Sequence, residues 1–136
     1  MTNDASSNSD GLAGPLSGLR VLELADEKGQ FCGKLMGDLG ADVIKVEPPV
    51  GSPSRSLGPF LEDAPEAERS LQFFSFNRNK RSLSLNLREK EGADIVLGLA
   101  AKSDIMIESF RTGALDRMGL GYEAVKIVNP NIIYCS

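Results

Sequence analysis

The side chains best suited to chemistry in this chain are cationic and come in short, separated groups. Asn77-Arg78-Asn79-Lys80-Arg81 is a dense basic turn, directly after Phe73, Phe74 and Phe76 and directly before the alternating Ser82-Leu83-Ser84-Leu85-Asn86-Leu87. Arginine offers a planar fork and lysine a point charge, and both suit phosphate oxygens. The same charges would also serve as a solvated turn that keeps a sheet edge from aggregating. The phenylalanines beside it could stack on a planar ring or fill core. Two further groups, Ala25-Asp26-Glu27-Lys28 and Ser109-Phe110-Arg111-Thr112-Gly113, each follow a short apolar run. The sequence contains no histidine, which excludes Ser-His-Asp and Cys-His catalysis and most zinc sites. Asp26, Asp38, Asp42 and Asp104 read as turn and cap residues.

These groups need a frame, and Arg20 to Pro49 supplies its centre. Val21-Leu22-Glu23-Leu24 and Val43-Ile44-Lys45-Val46 have strand length and β-branched content. Between them Phe31, Leu35, Met36 and Leu39 recur at helical spacing, and Gly40 stands where a left-handed cap would stop the helix. Strand, helix and strand in so short a span make a βαβ unit and favour a parallel sheet. Gly29, Gly33 and Gly37 fall four apart, so something approaches one face of that helix closely: a strand, another helix or a ligand. The spacing is not the G-x-G-x-x-G dinucleotide fingerprint, and no Walker-type loop occurs.

The remainder continues the alternation. Pro48 to Ser70 holds five prolines and no sustained period, which predicts a surface excursion with one short helical turn near Glu66–Arg69. Ser82–Leu87 predicts a strand buried on one face. Ala93, Val96, Leu97, Ala100 and Ala101 predict an amphipathic helix over Glu89–Lys102. Asp104–Glu108 reads as a strand, Ala114–Met118 and Tyr122–Val128 as short helices, and Ile132–Cys135 as a fifth strand. Ala25–Lys28 and Ser109–Gly113 then lie at carboxyl ends of strands, the edge of a parallel sheet where ligands collect.

At 136 residues one domain is expected, and 41% hydrophobic with 25% charged residues is ordinary for a globular chain. A net charge of −4 argues against general nucleic-acid binding, so any anion site must be local. No apolar run approaches a membrane span. Residues 1–15 read as a disordered polar tail without a signal core, and a cytoplasmic setting is expected. Cys32 and Cys135 are expected to be buried reduced thiols. An apolar strand at the last residue suggests the front part of a longer protein.

Four ordered blocks, FCGKLMGDLGADVIKVEPP, NRNKRSLSLNL, DIMIESFRTGALDRMGLGYEAV and NPNIIYCS, together resemble the family III CoA-transferases, the CaiB/BaiF group. Ser109 and Thr112 stand where that family most often carries Asn and Pro. The resemblance covers Leu16 to Ser136 and implies a Rossmann-like α/β fold, a mainly parallel sheet with flanking helices, that binds coenzyme A. By motif position it implies CoA contacts at Glu27, Lys28, Asn77, Arg78, Asn79, Lys80, Ser109, Phe110 and Arg111. It adds Arg117, which its own surroundings mark only as a solvated helix residue. It implies no metal, acyl-CoA and carboxylic acid substrates, and an aspartate beyond Ser136 that attacks the acyl-CoA thioester to form an enzyme-bound anhydride. A racemase branch with a downstream His/Asp pair, or a non-catalytic CoA-binding module whose last strand pairs with a partner, fits the same residues. Members of the family are interlocked dimers, or the rest of the fold could come from a second polypeptide.

Overall fold

The described part of the computed structural model is residues 14–136. The tail expected over residues 1–15 thus lies outside the described residues but for Gly14 and Pro15. In chain order the elements are β1 (Arg20–Leu24), α1 (Gln30–Asp38), β2 (Asp42–Glu47), α2 (Leu71–Asn77), β3 (Lys80–Ser84), α3 (Lys90–Ala100), β4 (Ile105–Glu108), α4 (Ala114–Arg117), α5 (Tyr122–Val128) and β5 (Ile133–Cys135). The strands form one sheet in the order β3-β2-β1-β4-β5, and every pairing is parallel. This is the Rossmann-like α/β arrangement expected. Strand order reverses between β1 and β4, which makes their carboxyl ends the switch point of the sheet.

Alternation along each central strand sends neighbours to opposite faces. Leu22, Leu24, Ile44, Val46 and Met106 meet Val96 and Ala100 of α3 and Val125 of α5 on one side. Val21, Val43 and Ile107 meet Cys32 and Met36 of α1 on the other. Leu22, Val96 and Met106 are fully buried, and burial of each such side chain stabilises the fold by about 2 kcal/mol. The same alternation carries Glu23 and its registered neighbour Lys45 under α1, where both are buried.

Helix α1 ends as its glycine predicts. Gly40 takes φ +102°, its N–H donates to Gly37 O, and Ala41 N–H donates to Met36 O, the paired bonds of a Schellman cap. Gly29 is the N-cap and not a helical residue; Gly33 and Gly37 lie within the helix. A Cβ on Gly37 would sit 3.1 Å from Asn79 O, and one on Gly33 only 1.7 Å from Glu23 Oε2. Close approach to the sheet therefore accounts for this glycine face.

Three expectations change. Leu71–Asn77 is a helix, capped by the Ser70 hydroxyl, which accepts from Phe73 N–H; a Ser before an apolar run was the legible signal. Of its phenylalanines, Phe73 lies under the Arg55 guanidinium at 3.8 Å, and Phe76 meets Phe31 edge-on. Strand β3 begins at Lys80, two residues earlier than the alternation suggested, because Lys80 and Arg81 already pair with Val43 and Ile44. Both cysteines are free, but Cys32 is half-buried and Cys135 exposed, since β5 is the sheet edge. The stretch 48–70 holds three short 3₁₀ turns, of which only Ala67–Arg69 was expected, and an isolated bridge between Phe60 and Ser70. Among the described residues no helix is long and apolar enough to cross a membrane.

Candidate functional site

The carboxyl ends of β1, β2, β3 and β4 surround a hollow of about 580 Å³. Its floor is apolar, with Leu24, Val46, Leu85, Leu87 and Met118, and Phe110 stands at its side. Its cationic side chains are Lys28 after β1, Arg88 after β3, Arg111 after β4 and Arg117 on α4. An adjoining depression of about 470 Å³ shares Leu87, Arg88, Arg117 and Met118 and extends towards the start of α3.

Lys28 lies 3.5 Å from Asp26, but the three arginines have no carboxylate partner among the described residues. Most basic side chains of the molecule lie within ion-pair distance of a carboxylate, Arg20 and Arg81 on Asp42 and Arg55 on Glu47 among them. Arg88, Arg111 and Arg117 make no such pair among the described residues. Three solvent-facing guanidinium groups around one apolar hollow form a local positive field within an acidic chain.

The two carboxylates lining the hollow are engaged elsewhere. Burial pushes the Asp26 carboxyl up, but the Lys28 N–H, the Ser109 hydroxyl and the Lys28 charge outweigh it and leave Asp26 below its ordinary value. Asp26 N–H donates to Ser109 Oγ (3.0 Å) and Ser109 Oγ–H donates back to Asp26 Oδ1 (2.8 Å), which ties the β1 loop to the β4 loop. Glu47 receives both arms of the Arg55 fork at 2.8 and 2.9 Å, the Ser82 hydroxyl at 2.7 Å and the Ser52 N–H at 2.8 Å. It fastens the Pro48–Ser56 wall of the hollow. Among the described residues no group of three or more His, Cys, Asp or Glu side chains could hold a metal.

Of the ten residues singled out from the sequence, Lys28, Ser109, Phe110, Arg111 and Arg117 line the hollow. Glu27 is exposed on the same loop but outside it. Asn77, Arg78, Asn79 and Lys80 do not line it: Asn77 closes α2 and donates to Gln30 Oε1, while Arg78, Asn79 and Lys80 lead into β3 at the amino end of the strands. Arg78 is solvated, 3.9 Å from Asp38, and Asn79 donates to Asp38 Oδ1. Asn77 is buried, and the Lys80 ammonium turns inward beneath α1 onto Glu23, Gln30 O and Asn77 Oδ1. The expectation of a single cationic rim joining Arg78, Lys80 and Arg111 is therefore corrected: the basic turn and the hollow lie at opposite ends of the strands. Arg88 and Leu85 are among the hollow's residues that sequence reasoning passed over as site candidates. The signal was there, since Leu85–Arg88 follows a strand just as Ser109–Arg111 does.

The family model described as CoA-transferase family III matches residues 16–136. The chain belongs to this family. The family III chain is 42% identical over 124 residues to the succinyl-CoA:mesaconate CoA-transferase of Haloarcula marismortui, covering 90% of itself and 31% of that relative. It is 44% identical to the succinyl-CoA:glutarate CoA-transferase of Mus musculus, covering 90% of itself and 28% of the relative. Among solved structures, a CaiB/BaiF family protein from Brucella suis superposes with a TM-score of 0.82 at 44% identity, over 91% of this chain and 33% of that one. The family III chain thus spans about a third of the length of these relatives.

Proposed function

We propose that this chain supplies the coenzyme A-binding part of an enzyme that moves CoA from an acyl-CoA to a carboxylic acid. The observation that carries the reading is the set of unpaired arginines, Arg88, Arg111 and Arg117, around an apolar hollow at the switch point of the sheet. Coenzyme A presents phosphates for guanidinium forks and an adenine for apolar surface, and this hollow supplies both. Relatives whose names all carry CoA transfer support the substrate class. The reacting carboxylate comes from outside these 136 residues in this reading, because the lining carboxylates, Asp26 and Glu47, are already held by Lys28, Ser109 and Arg55. In a thioester exchange of this kind such a carboxylate attacks the acyl carbonyl and CoA leaves as thiolate.

Titration calorimetry with coenzyme A tests the binding half. Arg88→Ala, Arg111→Ala and Arg117→Ala should each weaken binding roughly tenfold, the worth of one charge-assisted hydrogen bond, while Arg78→Ala should leave it unchanged. Equal affinity across all four variants would remove the site. For the transfer half, the 136-residue chain incubated with succinyl-CoA and glutarate should give no glutaryl-CoA. Turnover by the chain alone would show that a carboxylate within it reacts.

A further inference from the structure

Beneath α1, away from the hollow, lies a polar network that the binding site does not use. Glu23 is fully buried and faces two ammonium groups whose side chains are each only 1% exposed, Lys45 and Lys80. Lys45 Nζ donates to Glu23 Oε1 at 2.8 Å, and Lys80 Nζ donates to the same oxygen at 3.0 Å. Lys80 Nζ also lies 2.8 Å from Glu23 Oε2, although that oxygen receives no well-directed hydrogen bond. Taking three ions out of water is poor value for stability, because well-fitted apolar replacements are often neutral or better. The geometry offers a different reason for the arrangement. Each lysine also donates to one main-chain carbonyl: Lys45 to Ala25 O at 2.6 Å and Lys80 to Gln30 O at 2.7 Å. Those carbonyls are the two ends of the loop that carries Asp26 and Lys28 into the hollow. Gly33 leaves room for the Glu23 carboxylate directly below the helix, and Gly29 lets Ala25 and Ser109 close on the loop.

We infer that Lys45 and Lys80, anchored on Glu23, are positioning residues that hold the Ala25–Gln30 loop in its ligand-receiving shape. The basic turn then contributes to the site through Lys80, from beneath and not by contact. The inference rests on the CoA reading for its functional consequence, but its structural content is independent of any ligand.

The test replaces all three charges by apolar side chains, Glu23→Leu with Lys45→Met and Lys80→Met, and separately makes Lys80→Met alone, which leaves Glu23 paired with Lys45. Three quantities are read on the 136-residue chain: thermal midpoint, amide hydrogen exchange, and coenzyme A affinity by calorimetry. The amides of Gly29 and Gln30, both bonded to Asp26 O, should exchange roughly tenfold faster as the loop opens locally. Those of β1 and β2 should stay protected, with the thermal midpoint at or above that of the parent. Affinity for coenzyme A should fall roughly tenfold in the same variants. Unchanged exchange at Gly29 and Gln30 in a folded variant overturns the positioning role, whatever the ligand does. If the triple variant does not fold, the single variant decides by the same exchange readout. Faster local exchange in a protein whose parent binds no coenzyme A supports the positioning role and overturns the CoA reading alone.

Discussion

Gly33→Ala is expected to destabilise the chain by about 3 kcal/mol, between the cost of an overfilled core and that of a broken buried ion pair. Alanine ordinarily improves a helix interior by roughly 1 kcal/mol over glycine, so the sign here depends wholly on what the new methyl meets. It would meet Glu23 Oε2 at 1.7 Å and Glu23 Cδ at 2.9 Å. Moving the carboxylate aside would break its pairs with Lys45 and Lys80, which hold it in a fully buried pocket. Either α1 lifts from the sheet and uncovers Cys32 and Met36, or Glu23 leaves its partners and stays buried as an uncompensated charge. Urea denaturation reads the loss. Gly98→Ala is the matched control: it lies in α3 with open space where its Cβ would be, and should gain about 0.5–1 kcal/mol. A Gly33→Ala variant as stable as the parent would mean that helix and sheet do not meet in this way.

The second large effect is on stability in acid. Burial raises the Glu47 carboxyl, but the Arg55 fork, the Ser82 hydroxyl and the Ser52 N–H more than reverse this and bring its pKa from 4.5 to about 2. The folded value lies below the unfolded one, so between them the unfolded chain binds more protons. The contribution of Glu47 is fully present above pH 4.5 and is lost as the pH falls towards 2. A shift of that size corresponds to about 3 kcal/mol. Glu47→Gln keeps the volume and removes the titration, so its urea stability should be lower than the parent's near neutrality and converge with it as the pH approaches 2. Asp26, Asp38 and Asp42 also titrate below their ordinary values, which makes the difference between parent and variant the informative curve. A constant difference from pH 7 to pH 2 would mean that Glu47 is not ion-paired in the folded chain. Arg55→Ala should be the more damaging change near neutrality, because it leaves the Glu47 carboxylate buried without its fork.

The glycine spacing marked the face of Gly33 without saying that Glu23 meets it, and no stretch of sequence announces Glu47; the contrast with what was legible is informative. The short apolar runs Val21–Leu24 and Val43–Val46, the stripe of α3 and the stop at Gly40 each depend on residues within a turn or two of one another. Each formed where expected. Rules of that range also located Lys28 and Ser109–Arg111, because the carboxyl ends of parallel strands converge on one edge once the strands are known.

The basic turn shows where such reasoning stops. Its composition states that the charges are dense, but not which of them remain free. Lys80 finds Glu23 across 57 residues because β3 pairs with β2 in a register that sets Lys80 beside Val43, one strand from β1. Arg88, which follows a strand as Arg111 does, has no carboxylate partner among the described residues and joins Arg111 and Arg117 over the hollow. Residue type and spacing along the chain carry propensity, periodicity and capping, all short-range quantities, and from these the α/β class and the βαβ core follow. Ion pairing depends on distances across the sheet. Those are set by strand order and register, so the division of the cations into buried, ion-paired groups and open ones exists only in the folded chain.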